Sequence, residues 1–137
     1  MDNRIDQKQF TYRESPPLLP LRIPTNWIVT YNKFYDIDPI MENGQFVNGG
    51  HFDEDLLVIE RYIPNAAKWP RYVIDLGWRP SSDFKGTYGL TLILENFENI
   101  LREFESRDRF EIEKKLEEWL EILNIRPSDP DIINLIK

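Results

Sequence analysis

The sequence predicts an α+β domain in which an antiparallel sheet of about five strands carries a C-terminal amphipathic helix on one face and ends in a short final helix. Three observations carry that expectation. In Tyr72-Val73-Ile74-Asp75-Leu76-Gly77-Trp78, residues Tyr72, Ile74, Leu76 and Trp78 fall on one side of an extended chain, and Val73, Asp75 and Gly77 on the other. Thr87 to Glu95 repeats the alternation, with Tyr88, Leu90, Leu92 and Leu94 set against Gly89, Thr91, Ile93 and Glu95. The connection Asn96-Phe97-Glu98-Asn99 is short enough to return the chain antiparallel into Ile100 to Ser106, which makes a hairpin. Finally, Ile112, Leu116, Trp119, Leu120 and Leu123 recur at i, i+4, i+7, i+8 and i+11, the stripe of a helix with one buried face, while Glu113, Lys114, Glu117, Glu118 and Glu121 cover the remainder.

In chain order, residues 1–14 are polar and read as irregular. Ser15 to Pro24 carries four prolines in ten residues, too many for a ladder strand or a helix interior, so it runs extended. With Leu18, Leu19, Leu21 and Ile23 between the prolines, packing along the domain's own edge is favoured over presentation to another protein's aromatic groove. Trp27 to Phe34 reads as the first strand, with apolar groups on both faces. Tyr35 to Asp53 has no period, but Asn43-Gly44 and Asn48-Gly49-Gly50 flank Gln45-Phe46-Val47, which predicts a small excursion between turns. Asp55 to Ile63 resumes strand character, and Pro64 to Pro70 connects it to the central stretch. Arg79 to Gly86 is a polar surface loop bounded by proline and glycine. Asp108 with Glu111 three residues on reads as a helix N-cap; the helix ends near Asn124, and Ser128 or Asp129 starts the final helix. No repeat and no second core is visible, so 1–137 is one domain, and a meander with the helix on one face is its simplest arrangement.

Composition bounds the function. A 137-residue chain that is 41% hydrophobic buries a core without staples, even with 30% of its residues charged. There is no cysteine, hence neither a disulfide framework nor a thiolate metal site, which fits a reducing compartment. The N-terminus lacks the apolar centre of a secretion signal, and no apolar run approaches the roughly 20 residues of a membrane helix, so the expected location is cytoplasmic. The net charge of −7, from 24 acidic against 17 basic residues, repels phosphate backbones and attracts basic proteins, so neither nucleic acid nor a membrane is the expected partner.

No stretch presents catalytic machinery. One histidine and no cysteine exclude the common zinc constellations, and no cofactor motif is present: Gly86-Thr87-Tyr88-Gly89 lacks the lysine and following helix of a phosphate loop. His51 close to Asp53 and Asp55 has the residue types of a base with an orienting carboxylate, but the acidic run reads better as a solvated loop end. None of the serines sits in a Gly-x-Ser-x-Gly elbow. Asp75 is the unusual placement: it interrupts an apolar strand and lies either on the solvent face of the sheet or in a groove with Glu60, Thr91 and Glu95. Its face mixes carboxylates with aromatic anchors, so Asp75, Glu60, Glu95, Trp78, Arg79 and Trp69 are the expected partner-binding residues, with Glu103, Glu105 and Tyr62 around them.

Pro20-Leu21-Arg22-Ile23-Pro24-Thr25-Asn26-Trp27, Tyr31-Asn32-Lys33-Phe34, Asp55-Leu56-Leu57, Ile74-Asp75-Leu76-Gly77-Trp78-Arg79-Pro80 and the helix carrying Glu118-Trp119-Leu120 resemble the small bacterial immunity proteins of contact-dependent inhibition and related polymorphic toxin systems. The likeness spans Leu18 to Leu123 and its motifs are structural. It implies a protein that binds a cognate toxin domain, often a nuclease, and blocks it stoichiometrically without catalysis. The alternative expectation is a non-enzymatic adaptor domain using the same surface for another protein.

Overall fold

The computed structural model describes residues 15–64 and 71–137; the expected irregular segment 1–14 and most of the connection before the central strand lie outside the described residues. The elements are β1 (Ile28–Asn32), β2 (Met41–Glu42), β3 (Gln45–Phe46), β4 (Leu57–Tyr62), β5 (Arg71–Arg79), β6 (Thr87–Leu94), β7 (Ile100–Ser106) and α1 (Arg109–Ile125), followed by a 3-10 turn at Pro130–Leu135. Five strands form one antiparallel sheet in the order β1-β4-β5-β6-β7, a meander interrupted by the small β2–β3 hairpin. That hairpin turns at Asn43 and Gly44, whose φ angles of 50° and 75° are the left-handed pair that a two-residue connection needs.

Register builds the core. Leu57, Leu76, Leu90 and Phe104 face one another across four strands, and Ile59, Ile74 and Leu92 form the next row. Over these rows α1 lays the expected stripe of Ile112, Leu116, Trp119, Leu120 and Leu123, all fully buried. The Asp108 side chain accepts the Phe110 N–H at 2.8 Å and so caps the helix as predicted. The last helix is 3-10 and not α; Pro130 opens it and Asp129 caps it by accepting the Asp131 N–H at 2.9 Å. Arg102 fastens this tail to the sheet by donating to the carbonyls of Ile136 (3.2 Å) and Ile133 (3.0 Å). Among the described residues no helix is long and apolar enough to cross a membrane.

The proline-rich segment packs along the domain's edge as expected. Leu19 is buried and donates its N–H to Phe34 O at 2.9 Å, while Asp36 donates to Pro17 O at 2.9 Å. Strict alternation would send Trp27 and Phe34, an odd number of residues apart, to opposite faces. A bulge between Val29 and Tyr31 takes up Thr30 as an extra residue, and both aromatic rings reach the core.

Two sequence expectations change. His51 does not end a solvated loop: it is buried in the Gly49–His51 3-10 turn, its ring edge-on to Tyr35 at 5.1 Å. The sheet face opposite α1 is not a plain solvent face at β5 and β6 either, since Val73 is 7%, Asp75 8% and Ile93 1% exposed. One cause is local. Asp53 to Leu56 runs across β5 at Gly77, with the Trp78 N–H donating to Asp53 O (2.8 Å) and the Leu56 N–H to Leu76 O (2.9 Å). A Cβ at Gly77 would fall 2.8 Å from the carbonyl carbon of Glu54, so only glycine admits that crossing.

Candidate interaction surface

Because β5 lies in the middle of the sheet and residues alternate along it, Arg71, Val73, Asp75, Gly77 and Arg79 project away from α1. Cross-strand register then fixes their neighbours. Val58, Asp75, Thr91 and Glu103 form one row, and Glu60, Val73 and Ile93 form the next, with Ile28 opposite Glu60 and Ile100 opposite Ile93. Glu105 pairs with Gly89, which in turn pairs with Gly77. The face therefore carries the carboxylates Glu60, Asp75, Glu103 and Glu105 against the cations Arg71 and Arg79, with Ile28, Tyr62 and Ile100 exposed at its margins.

The carboxylates on this face differ in environment. Glu60 is held by Arg71 at 2.6 Å across the β4–β5 pair, a half-buried ion pair that fixes both side chains. Glu103 and Glu105 on β7 are exposed. Asp75 is buried and its Oδ1 accepts no hydrogen bond. Burial pushes its pKa above the ordinary carboxylate value, Arg79 draws it partly back, and Asp55 adds to the rise.

Of the residues expected to bind a partner, Asp75, Glu60 and Arg79 share this face. Glu95 sits just beyond the end of β6 with φ 69°, its N–H donating to Arg71 O at 2.9 Å. Four residues separate it from Thr91, the neighbour of Asp75, so the two carboxyls stand about 13 Å apart along the strand direction. They do not converge on one point. Trp78 points the other way: it is fully buried, edge-on to Tyr88 (4.9 Å) and Phe52 (5.0 Å), and donates Nε1–H to Asp83 O at 2.7 Å. Arg107 lies over its ring at 5.2 Å and closes the remaining side. Trp78 is thus a core anchor and not an interface one, as its phase with Ile74 and Leu76 requires. Trp69 lies outside the described residues.

Sequence reasoning missed Arg71, whose alternation with Val73 and Asp75 was the available signal. It also missed a groove on another side of the molecule. There the proline-rich segment runs beside α1 and leaves a cavity of about 370 Å³ lined by Leu19, Leu21, Phe110, Asp36, Glu113 and Glu117 among others. Glu117 Oε2 accepts the Arg22 N–H at 2.9 Å, and Arg109 pairs with Asp36 at 2.9 Å and with Asp38. Burial, then the charges of Glu117 and Asp36, raise the pKa of Glu113. Glu113 and Glu117, expected to cover α1 outside its apolar stripe, also line this groove.

Among the described residues no group of three or more His, Asp or Glu side chains is placed to hold a metal ion. Comparison of the chain with protein-family models, with curated proteins and with solved structures finds no match.

Proposed function

We propose that the chain is an immunity protein that neutralises a cognate toxin by stoichiometric binding and performs no chemistry of its own. The observation that carries this reading is the sheet face opposite α1, where Glu60, Asp75, Glu103 and Glu105 outnumber Arg71 and Arg79 around exposed Ile28, Tyr62 and Ile100. Such a face suits a basic partner: opposite charge accelerates the encounter, and apolar margins supply area that becomes buried on contact. The whole-chain charge of −7 acts in the same direction. The resemblance of Pro20 to Trp27, Ile74 to Pro80 and the Glu118-Trp119-Leu120 helix to small bacterial immunity proteins supplies the biological class.

The test is co-expression. A toxin domain encoded beside this chain's gene is induced in a sensitive host with and without the chain. Rescue of growth together with recovery of a one-to-one complex supports the proposal. A toxin that kills equally in both cultures and leaves the chain uncomplexed overturns it, and a different protein captured from the native host at the same face would establish an adaptor instead.

A further inference from the structure

The groove beside α1 is longer than its first cavity. A second cavity of about 390 Å³, lined by Arg22, Pro24, Glu117, Glu121 and Asn124, shares Arg22 and Glu117 with the first, so one trough runs between the proline-rich segment and the helix from Phe110 to Asn124. At about 1.5 Å per helical residue it is about 21 Å long. The wall formed by the proline-rich segment is apolar, with Leu19 buried and Leu21 packed against the core, and Phe110, 53% exposed, stands at one end.

The helix wall is acidic. Glu113, Glu117 and Glu121 recur at i, i+4 and i+8, the first two half-buried and the third exposed. Like charges at that spacing weakly destabilise a helix. Among the described residues none of the three pairs with a cation: Lys115 is engaged by Glu118, and Arg109 by Asp36 and Asp38. Glu117 accepts a backbone N–H, that of Arg22. At Glu113 the fields of Glu117 and Asp36 exceed that of Arg22, so the trough keeps a negative potential despite the cation in its lining.

Spacing selects the occupant. Successive acids stand about 6 Å apart along the helix axis, and alternate side chains of an extended chain stand about 6.6 Å apart on one side. We infer that the trough is a docking site for an extended segment of a protein partner carrying lysine or arginine at every second position. Three such cations meet Glu113, Glu117 and Glu121 in step, while the intervening side chains turn toward the apolar wall. The trough lies on another side of the molecule from the acidic sheet face and does not depend on the immunity reading.

The probes are two end-blocked hexapeptides of equal composition, Lys-Ala-Lys-Ala-Lys-Ala and Lys-Lys-Lys-Ala-Ala-Ala, titrated at low salt into the whole isotope-labelled chain and followed by amide chemical shifts. The alternating peptide is expected to bind at least threefold tighter than the blocked one, with the largest shifts in residues 19–24 and 110–124. Glu113→Gln, Glu117→Gln and Glu121→Gln combined are expected to weaken it tenfold or more; glutamine keeps an acceptor for the Arg22 N–H. A charge-matched control combining Glu54→Gln, Glu98→Gln and Asp131→Asn, all exposed and outside the lining of the trough, changes binding less than twofold. Equal affinities of the two peptides for the unaltered chain, equal losses in the two triple variants, or shifts outside the trough overturn the inference in favour of diffuse charge attraction. The peptide comparison needs no variant, so a poorly folded one does not end the test. Since no toxin enters the assay, failure here and failure of the immunity reading are separate results.

Discussion

Replacing Gly77 by alanine probes the sheet face at its tightest point. The added Cβ would fall 2.8 Å from the Glu54 carbonyl carbon and nearer still to its oxygen, and both are backbone atoms that cannot rotate away. The crossing segment must lift, which breaks the Trp78 N–H to Asp53 O and Leu56 N–H to Leu76 O hydrogen bonds. Two such bonds are worth about 1 kcal/mol each, and forcing an extra methyl into a packed site adds about 1–3 kcal/mol. Against this, alanine recovers roughly 0.5–1 kcal/mol of backbone entropy relative to glycine in a strand. The expected net loss is about 2–4 kcal/mol. Gly89 is the internal control: it is the cross-strand partner of Gly77, yet a Cβ there meets nothing within 4 Å. Gly89→Ala is therefore expected to be neutral or stabilising by up to about 1 kcal/mol. Urea denaturation followed by the fluorescence of the four tryptophans reads both variants. Stabilities of the two alanine variants within about 0.5 kcal/mol of each other would refute the packing argument.

Three more outcomes follow from single contacts. Asp108→Ala removes the acceptor that caps α1 and is expected to cost about 1 kcal/mol, most of it restored in Asp108→Asn, as measured by thermal melts. Arg102→Ala releases the carbonyls of Ile133 and Ile136; about 1–3 kcal/mol is lost and hydrogen exchange accelerates in the 130–136 tail, while unchanged exchange there would show that Arg102 does not hold it. For Asp75, burial raises the folded-state pKa above its ordinary value of 3.8. Between those two values the folded chain binds more protons than the unfolded one, so stability falls as pH rises through the folded pKa. Asp75→Asn is accordingly expected to gain most over the wild type near neutrality, its advantage shrinking as pH approaches 3.8. An advantage that grows on acidification would contradict that sign.

The sheet and helix were legible because their residues obey simple periods. Tyr72 to Trp78, Thr87 to Leu94 and the α1 stripe alternate or recur without interruption, and Asn43-Gly44 and Asp108 carry local chemistry that needs no tertiary context. What escaped was whatever depends on chain crossing chain. Thr30 as a bulge, Asp53 to Leu56 over Gly77, and the edge-on contact of His51 with Tyr35 are long-range facts with no period of their own. The candidate site divides along the same line. Alternation alone brings Asp75 and Arg79 to one face, and register adds Glu60; the same alternation assigns Trp78 to the core, where polar loop Arg79 to Gly86 folds back over it. The burial of Asp75 could not be read from neighbours in sequence, because alternation assigns a residue to a face and does not say how far that face is covered.

If this chain works by occupying a basic protein partner through its acidic sheet face, the most direct measurement is calorimetric titration of the adjacent toxin domain into the purified chain over a range of salt concentrations. The expected result is a stoichiometry of one and affinity that weakens as salt rises. Absence of binding at low salt by a toxin domain that is itself folded and active would contradict the account.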